Sequence, residues 1–162
     1  MKRTIGILIT GVFSLIFMTS TTCSDENTVR TAQETTGNEK KAILSLSNGI
    51  SFEKVNLEKA KKQAKKEGKL IFIDCYTSWC GPCKRMAATT FKDEEVGKLF
   101  NQSFINLKID IEKDEDGASV ARRYGIRAYP TLLMINSDGE LIKQTLGFQT
   151  KDKLIAFAKS VL

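Results

Sequence analysis

The sequence contains no histidine. That absence removes both the commonest acid/base group near neutral pH and the commonest metal ligand, so chemistry in this chain runs on thiols and carboxylates. Cysteine is scarce too, with four in all: Cys23, Cys75, Cys80 and Cys83. With Cys23 set far apart, a structural zinc site lacks a fourth donor, and the CxxxxCxxC spacing of the other three lacks the last thiolate of an iron–sulfur run. No metal or other cofactor is therefore expected. The apolar run from Ile5 to Met18 covers about 14 residues, below the roughly 20 that a transmembrane helix needs. Aromatic stacking residues and a recognisable reader motif are missing beside the basic run "EKAKKQAKKEGK", residues 58–69. The excess of 25 Lys and Arg over 19 Asp and Glu is thus read as the wet face of a helix, with no nucleic-acid partner.

What is present begins with a leader. Lys2 and Arg3 precede the apolar run, and small polar residues follow it, which is the plan of a secretory signal peptide over residues 1–22. Ser20, Thr21, Thr22 and Cys23 resemble a loose bacterial lipoprotein box, with Ser20 where a strong box carries Leu. On that reading Cys23 is lipidated, tethers the protein to a membrane and takes no part in catalysis. Residues 23–42 are polar, with almost no large apolar side chain; such a segment cannot bury enough surface to fold and reads as a flexible linker. The protein is expected to be exported, to the periplasm or cell envelope.

Residues 43–162 have the length and the apolar content for one domain with its own core. "ILSLSNGISF" supplies one or two short strands. Leu57, Ala60 and Ala64 then share one face of a Lys-rich helix ending near Gly68. "KLIFIDCY" is a short apolar run, as expected of a central strand buried on both faces. A helix opens around Pro82, where a missing N–H costs nothing. Asp93 starts another, carrying Val96, Leu99 and Phe100 inward. "SFINLKID" reads as a strand, "EKDEDG" as a charged loop and "ASVARRYG" as a helix closing on Gly125. "YPTLLMIN" is a strand that begins at a proline. The turn Ser137–Glu140 leads into "LIKQTLG", and a last helix carries Leu154, Phe157, Ala158 and Val161 on one face. The fold class is α/β, a central mixed sheet with helices on both faces.

Cys80 and Cys83 lie at the junction between the "KLIFIDCY" strand and the helix at Pro82. The unpaired N–H groups of a helix N-terminus favour a thiolate at the first cysteine, which makes Cys80 the nucleophile. Cys83, one turn on, is placed to attack a mixed disulfide formed by Cys80. Gly81 and Pro82 fill the turn that sets the sulfur separation. A structural disulfide here would close a tiny loop and constrain the unfolded chain little.

The motif "WCGPCK" resembles the active-site signature of the thioredoxin family, and the likeness runs from Lys69 to the C-terminus. It implies a thioredoxin fold and dithiol/disulfide exchange without a cofactor. Asp74, six residues before Cys80, matches the family's buried proton-exchanging carboxylate. Trp79 precedes the first cysteine as in the family. "IRAYPTLLMI" resembles the segment holding the family's cis-proline, which makes Tyr129 and Pro130 groove residues, and Gly147 in "TLGF" matches a glycine lining the same groove. "TFKDEEVGKLF" is similar to the C-terminal domain of membrane thiol:disulfide interchange proteins.

The family's buried lysine has no unambiguous match: Asn106 and Lys108 share one strand face by alternation. Cys75 alternates away from Asp74 and reads as inert core. The resemblance implies a reductant or isomerase of protein disulfides, expected to be a monomer; in an oxidising envelope such a reductant runs down unless a membrane thiol donor resupplies electrons. The alternatives are a non-catalytic peptide-binding module on the same fold and a disulfide-forming oxidase.

Overall fold

The computed structural model describes residues 49–162. The leader over residues 1–22, Cys23, the linker over residues 23–42 and the first part of "ILSLSNGISF" lie outside the described residues.

Within them, five helices and four strands alternate much as the apolar patterns require. Asn56 caps α1 (Leu57–Glu67), its side chain accepting the Lys59 N–H, and Leu57, Ala60 and Ala64 form the buried stripe. β1 (Leu70–Tyr76) follows, buried along almost its whole length. α2 (Gly81–Ala88) begins directly after Cys80. A short 3-10 turn, Thr90–Lys92, comes next and has no signal of its own in the sequence. Asp93 caps α3 (Glu94–Ser103) by accepting the N–H groups of Glu95 and Val96. β2 (Phe104–Asp110), α4 (Gly117–Tyr124), β3 (Thr131–Ile135), β4 (Leu141–Leu146) and α5 (Lys151–Lys159) complete the order. No helix among the described residues is long and apolar enough to cross a membrane.

The sheet runs β2-β1-β3-β4. β1 is parallel to β2 and antiparallel to β3, and β3 is antiparallel to β4, so the sheet is mixed and β1 has a strand on each side. Period-two alternation sends Ile71, Ile73 and Cys75 into a core with Leu57, Ala60, Ala64, Val120 and Tyr124. Phe72 goes the other way, into a core with Met86, Phe91, Phe100, Leu154 and Phe157. α1 and α4 therefore cover one face, and α2, α3 and α5 the other. Leu99 and Val161, expected inside, are only partly buried against that second core.

The described part of "ILSLSNGISF" is not a strand. Residues 49–53 form a strap whose backbone bonds go to different elements: the Ile50 N–H to the Phe91 carbonyl (2.7 Å), and the Glu53 N–H to the Asn106 carbonyl (2.8 Å). Asn101 fixes the same strap with its amide, accepting the Ser51 N–H at 2.8 Å and donating to the Gly49 carbonyl at 3.1 Å. A strand needs a ladder to one partner, and these bonds diverge.

The strap approaches α3 so closely that a Cβ on Gly97 would collide with the Gly49 carbonyl. Gly97→Ala tests this contact by the sign of its effect. In a free helix the change gains up to about 1 kcal/mol, whereas forced overpacking costs roughly 1–3 kcal/mol. The expected outcome is a lower urea midpoint; a raised midpoint would show that the strap is not docked there.

Candidate active site

β1 ends at Tyr76, and the chain turns through Thr77, Ser78 and Trp79 before α2. The turn is closed by the Cys80 N–H donating to the Thr77 carbonyl at 3.2 Å. Cys80 is the N-cap of α2, its backbone still extended. Its Sγ accepts the N–H of Cys83 at 3.2 Å, so sulfur stands where a capping oxygen normally does. Pro82 sits in the first turn of the helix, as expected. Cys80 and Cys83 are joined by a disulfide, with their Cα atoms 5.3 Å apart, and both are almost wholly buried.

Trp79 is the opposite case, 64% exposed. Its ring meets Tyr129 edge-on, 5.9 Å between centroids, and its indole N–H donates to both carboxylate oxygens of Glu112, at 3.1 and 2.9 Å. Sequence reasoning passed over Glu112 because it lies in a charged loop that reads as solvated surface. Tyr129–Pro130 is a cis peptide, in agreement with the resemblance. The Gly147 N–H donates to the Pro130 carbonyl at 2.8 Å. Gly147 itself has φ 76°, a left-handed conformation that a side chain disfavours. Trp79, Tyr129, Pro130 and Gly147 are thereby linked to one another, and Gly81 begins the helix that follows Cys80.

Asp74 is buried on β1, on the sheet face that α2 covers through Met86. Strand pairing sets it opposite Lys108, whose Nζ lies 3.3 Å from Oδ2. Beyond that ammonium, neither Asp74 oxygen has a hydrogen-bond partner among the described residues. Of the two candidate partners on β2, Asn106 points its amide at the Ser51 and Phe100 carbonyls instead. The register thus selects Lys108. Burial pushes the Asp74 carboxyl up from 3.8 to about 6, against the lowering effect of the Lys108 charge and contact. Cys75 is a buried free thiol, and burial, then the Asp74 charge, pushes it upward. It is a core residue on the opposite sheet face, as its alternation predicts.

A carboxyl that titrates higher in the folded chain than in the unfolded one costs stability wherever it is ionised. The cost is absent below the unfolded value of 3.8, grows as pH rises to about 6, and is constant above that. A gap of about two units corresponds to on the order of 3 kcal/mol. Asp74→Asn should therefore match the parent in urea unfolding near pH 3.5 and exceed it by up to that amount at pH 7.5. Equal stability at both pH values would mean that the carboxylate is not held in a low-dielectric site.

Comparison with known proteins places this geometry. A family model described as a thioredoxin-like domain matches residues 57–162. Thioredoxin H4 of Arabidopsis thaliana is 39% identical over 90 residues, which covers 56% of this chain and 70% of that protein. The solution structure of a disulphide-isomerase candidate from Bacteroides thetaiotaomicron is 44% identical with a TM-score of 0.62, over 71% of this chain and 95% of that one. The oxidised C-terminal domain of DsbD from Neisseria meningitidis is 28% identical with a TM-score of 0.57, over 68% and 97% of the two chains, in line with the resemblance carried by "TFKDEEVGKLF". With its mixed sheet and its cysteine pair at a strand-to-helix junction, this chain belongs to the thioredoxin-like family of disulfide oxidoreductases.

Proposed function

We propose that the protein is exported, is tethered to a membrane through a lipidated Cys23, and reduces or isomerises disulfides of other proteins in the cell envelope. The observation that carries the chemistry is Cys80 Sγ at the helix cap, receiving the Cys83 N–H, with a buried, protonatable Asp74 on the strand that leads to it. The N–H groups and dipole of α2 stabilise a thiolate on Cys80. That thiolate attacks one sulfur of a substrate disulfide, forms a mixed disulfide and expels the other substrate sulfur as a thiolate. Cys83 then gives its proton to Asp74 and attacks Cys80 Sγ, forming the Cys80–Cys83 disulfide and releasing the second substrate thiolate. Two electrons pass to the substrate.

An acceptor raised to about 6 is a stronger base than an ordinary carboxylate and is still ionised at neutral pH. The substrate chain lies along Trp79, Gly81, Pro82, Tyr129, Pro130 and Gly147. Export rests on the leader-like residues 1–22. The likeness to a DsbD C-terminal domain supports resupply of electrons by a membrane thiol donor, because a reductant in an oxidising compartment otherwise runs down.

Cys83→Ser should accumulate mixed disulfides on Cys80, identifiable by mass spectrometry of the trapped complexes. Cys80→Ser should trap nothing and should lose insulin reduction in dithiothreitol; wild-type protein inactive in that assay would favour a peptide-binding module. The direction of exchange is read in cells. Acid-quenched protein should be partly reduced and should become oxidised on deletion of its donor. Wholly oxidised protein, unchanged by deleting candidate membrane donors, would contradict a reductive role.

A further inference from the structure

The strap at residues 49–53 does more than close the second core. Its Phe52 ring packs edge-on against Phe91, 5.3 Å between centroids, and tilted against Phe72 at 6.4 Å. It also faces the Lys108 ammonium, 5.8 Å from Nζ to the ring centroid. Tyr76 presents its ring to the same Nζ at 4.5 Å, and Phe91 at 5.7 Å. Three rings from three separate segments thus surround the ammonium that touches Asp74 at 3.3 Å. Ring faces attract a cation most strongly where water is scarce. The Lys108 side chain is 26% exposed, so a lysine without this cage would extend into water, where its charge is better hydrated.

We propose that Phe52 is a positioning residue of the exchange reaction, acting through Lys108: as one wall of an aromatic cage, it holds the ammonium against the Asp74 carboxylate. This rests on the reading of Asp74 as the proton acceptor for Cys83. The strap thereby becomes part of the active site through Lys108. Its anchors are Asn101, which binds both Gly49 and Ser51, and Asn106, whose carbonyl and amide bind Glu53 and Ser51. Asn106 thus serves the strap while Lys108, two residues on, serves the carboxylate.

Among the described residues, the other charged or titratable groups near the pair are few. Tyr76 shares its strand, and its phenol is raised by burial and by the charges of Asp110, Asp114 and Asp74. Cys75 faces the opposite core. Lys92 on the 3-10 turn is exposed, Glu53 follows Phe52 on the strap, and Cys83 is in the disulfide.

The test is the titration of the Asp74 carboxyl carbon by NMR in the oxidised protein. Lys108→Met sets the scale by removing the cation, and should move the titration upward. Phe52→Leu keeps apolar volume and loses the ring face. It should also move Asp74 upward, by roughly half a unit and by no more than Lys108→Met does. Phe52→Tyr should restore the parent value, and Phe52→Leu added to Lys108→Met should change nothing further. An unmoved titration in Phe52→Leu overturns the proposal. So does a downward one, which would make Phe52 a water shield for the carboxylate alone, and so does a full effect in the Lys108→Met background. Phe52→Ala is the harsher variant; should it unfold, the Leu and Tyr variants still decide. The reading of Asp74 is tested separately: if Asp74→Asn leaves the pH profile of insulin reduction unchanged, that reading fails, while the Phe52 titrations still report on the cage.

Discussion

A carboxylate on the central strand of the sheet sets the terms for everything around it. Asp74 has β2 on one side and β3 on the other, and an ionised group so placed has lost its water. The chain compensates with a single cation, Lys108, brought across by the parallel register between β1 and β2. One ammonium is not enough to return the carboxyl to its ordinary range, and it titrates at about 6. A group in that condition is unfavourable for stability and well suited to taking a proton near neutral pH. The proposed exchange uses such a proton acceptor at the junction just after β1, where the helix cap turns sulfur into the acceptor of the Cys83 N–H.

Alternation along β1 separates the two cysteine environments. Asp74 and Cys75 are neighbours in sequence but face opposite cores. Cys75 is held as a buried thiol whose ionisation is strongly disfavoured, so it does not compete with the exchanging pair. Exposure runs the other way at the rim. Trp79 stands in solvent, held by Glu112 and Tyr129, and presents a rigid aromatic surface beside sulfurs that are themselves almost covered.

Much of this was legible in the sequence. The "KLIFIDCY" run, the two-residue alternation that separates Asp74 from Cys75, and the helix start at Pro82 are local signals, and they placed the sheet's centre and the cysteine pair. What local pattern cannot supply is register. Asn106 and Lys108 satisfy the same alternation, and only the pairing of Asp74 with Lys108 tells them apart. Glu112 was hidden for a related reason, since its partner Trp79 is 33 residues away. "ILSLSNGISF" has strand composition, but its described part bonds to several elements in turn and is a strap. No sequence pattern singles out Gly97, where a Cβ would collide with the strap.

The account turns on whether the Asp74 proton governs the second half of the exchange. The direct measurement is the rate at which Cys83 resolves a preformed mixed disulfide on Cys80, followed by stopped flow across pH in the parent and in Asp74→Asn. The account predicts a rise in the parent rate as pH passes the Asp74 titration at about 6, and loss of that rise in the variant, with a rate at pH 7 lower by at least about 100-fold. Superimposable rates and profiles in the two proteins would contradict it.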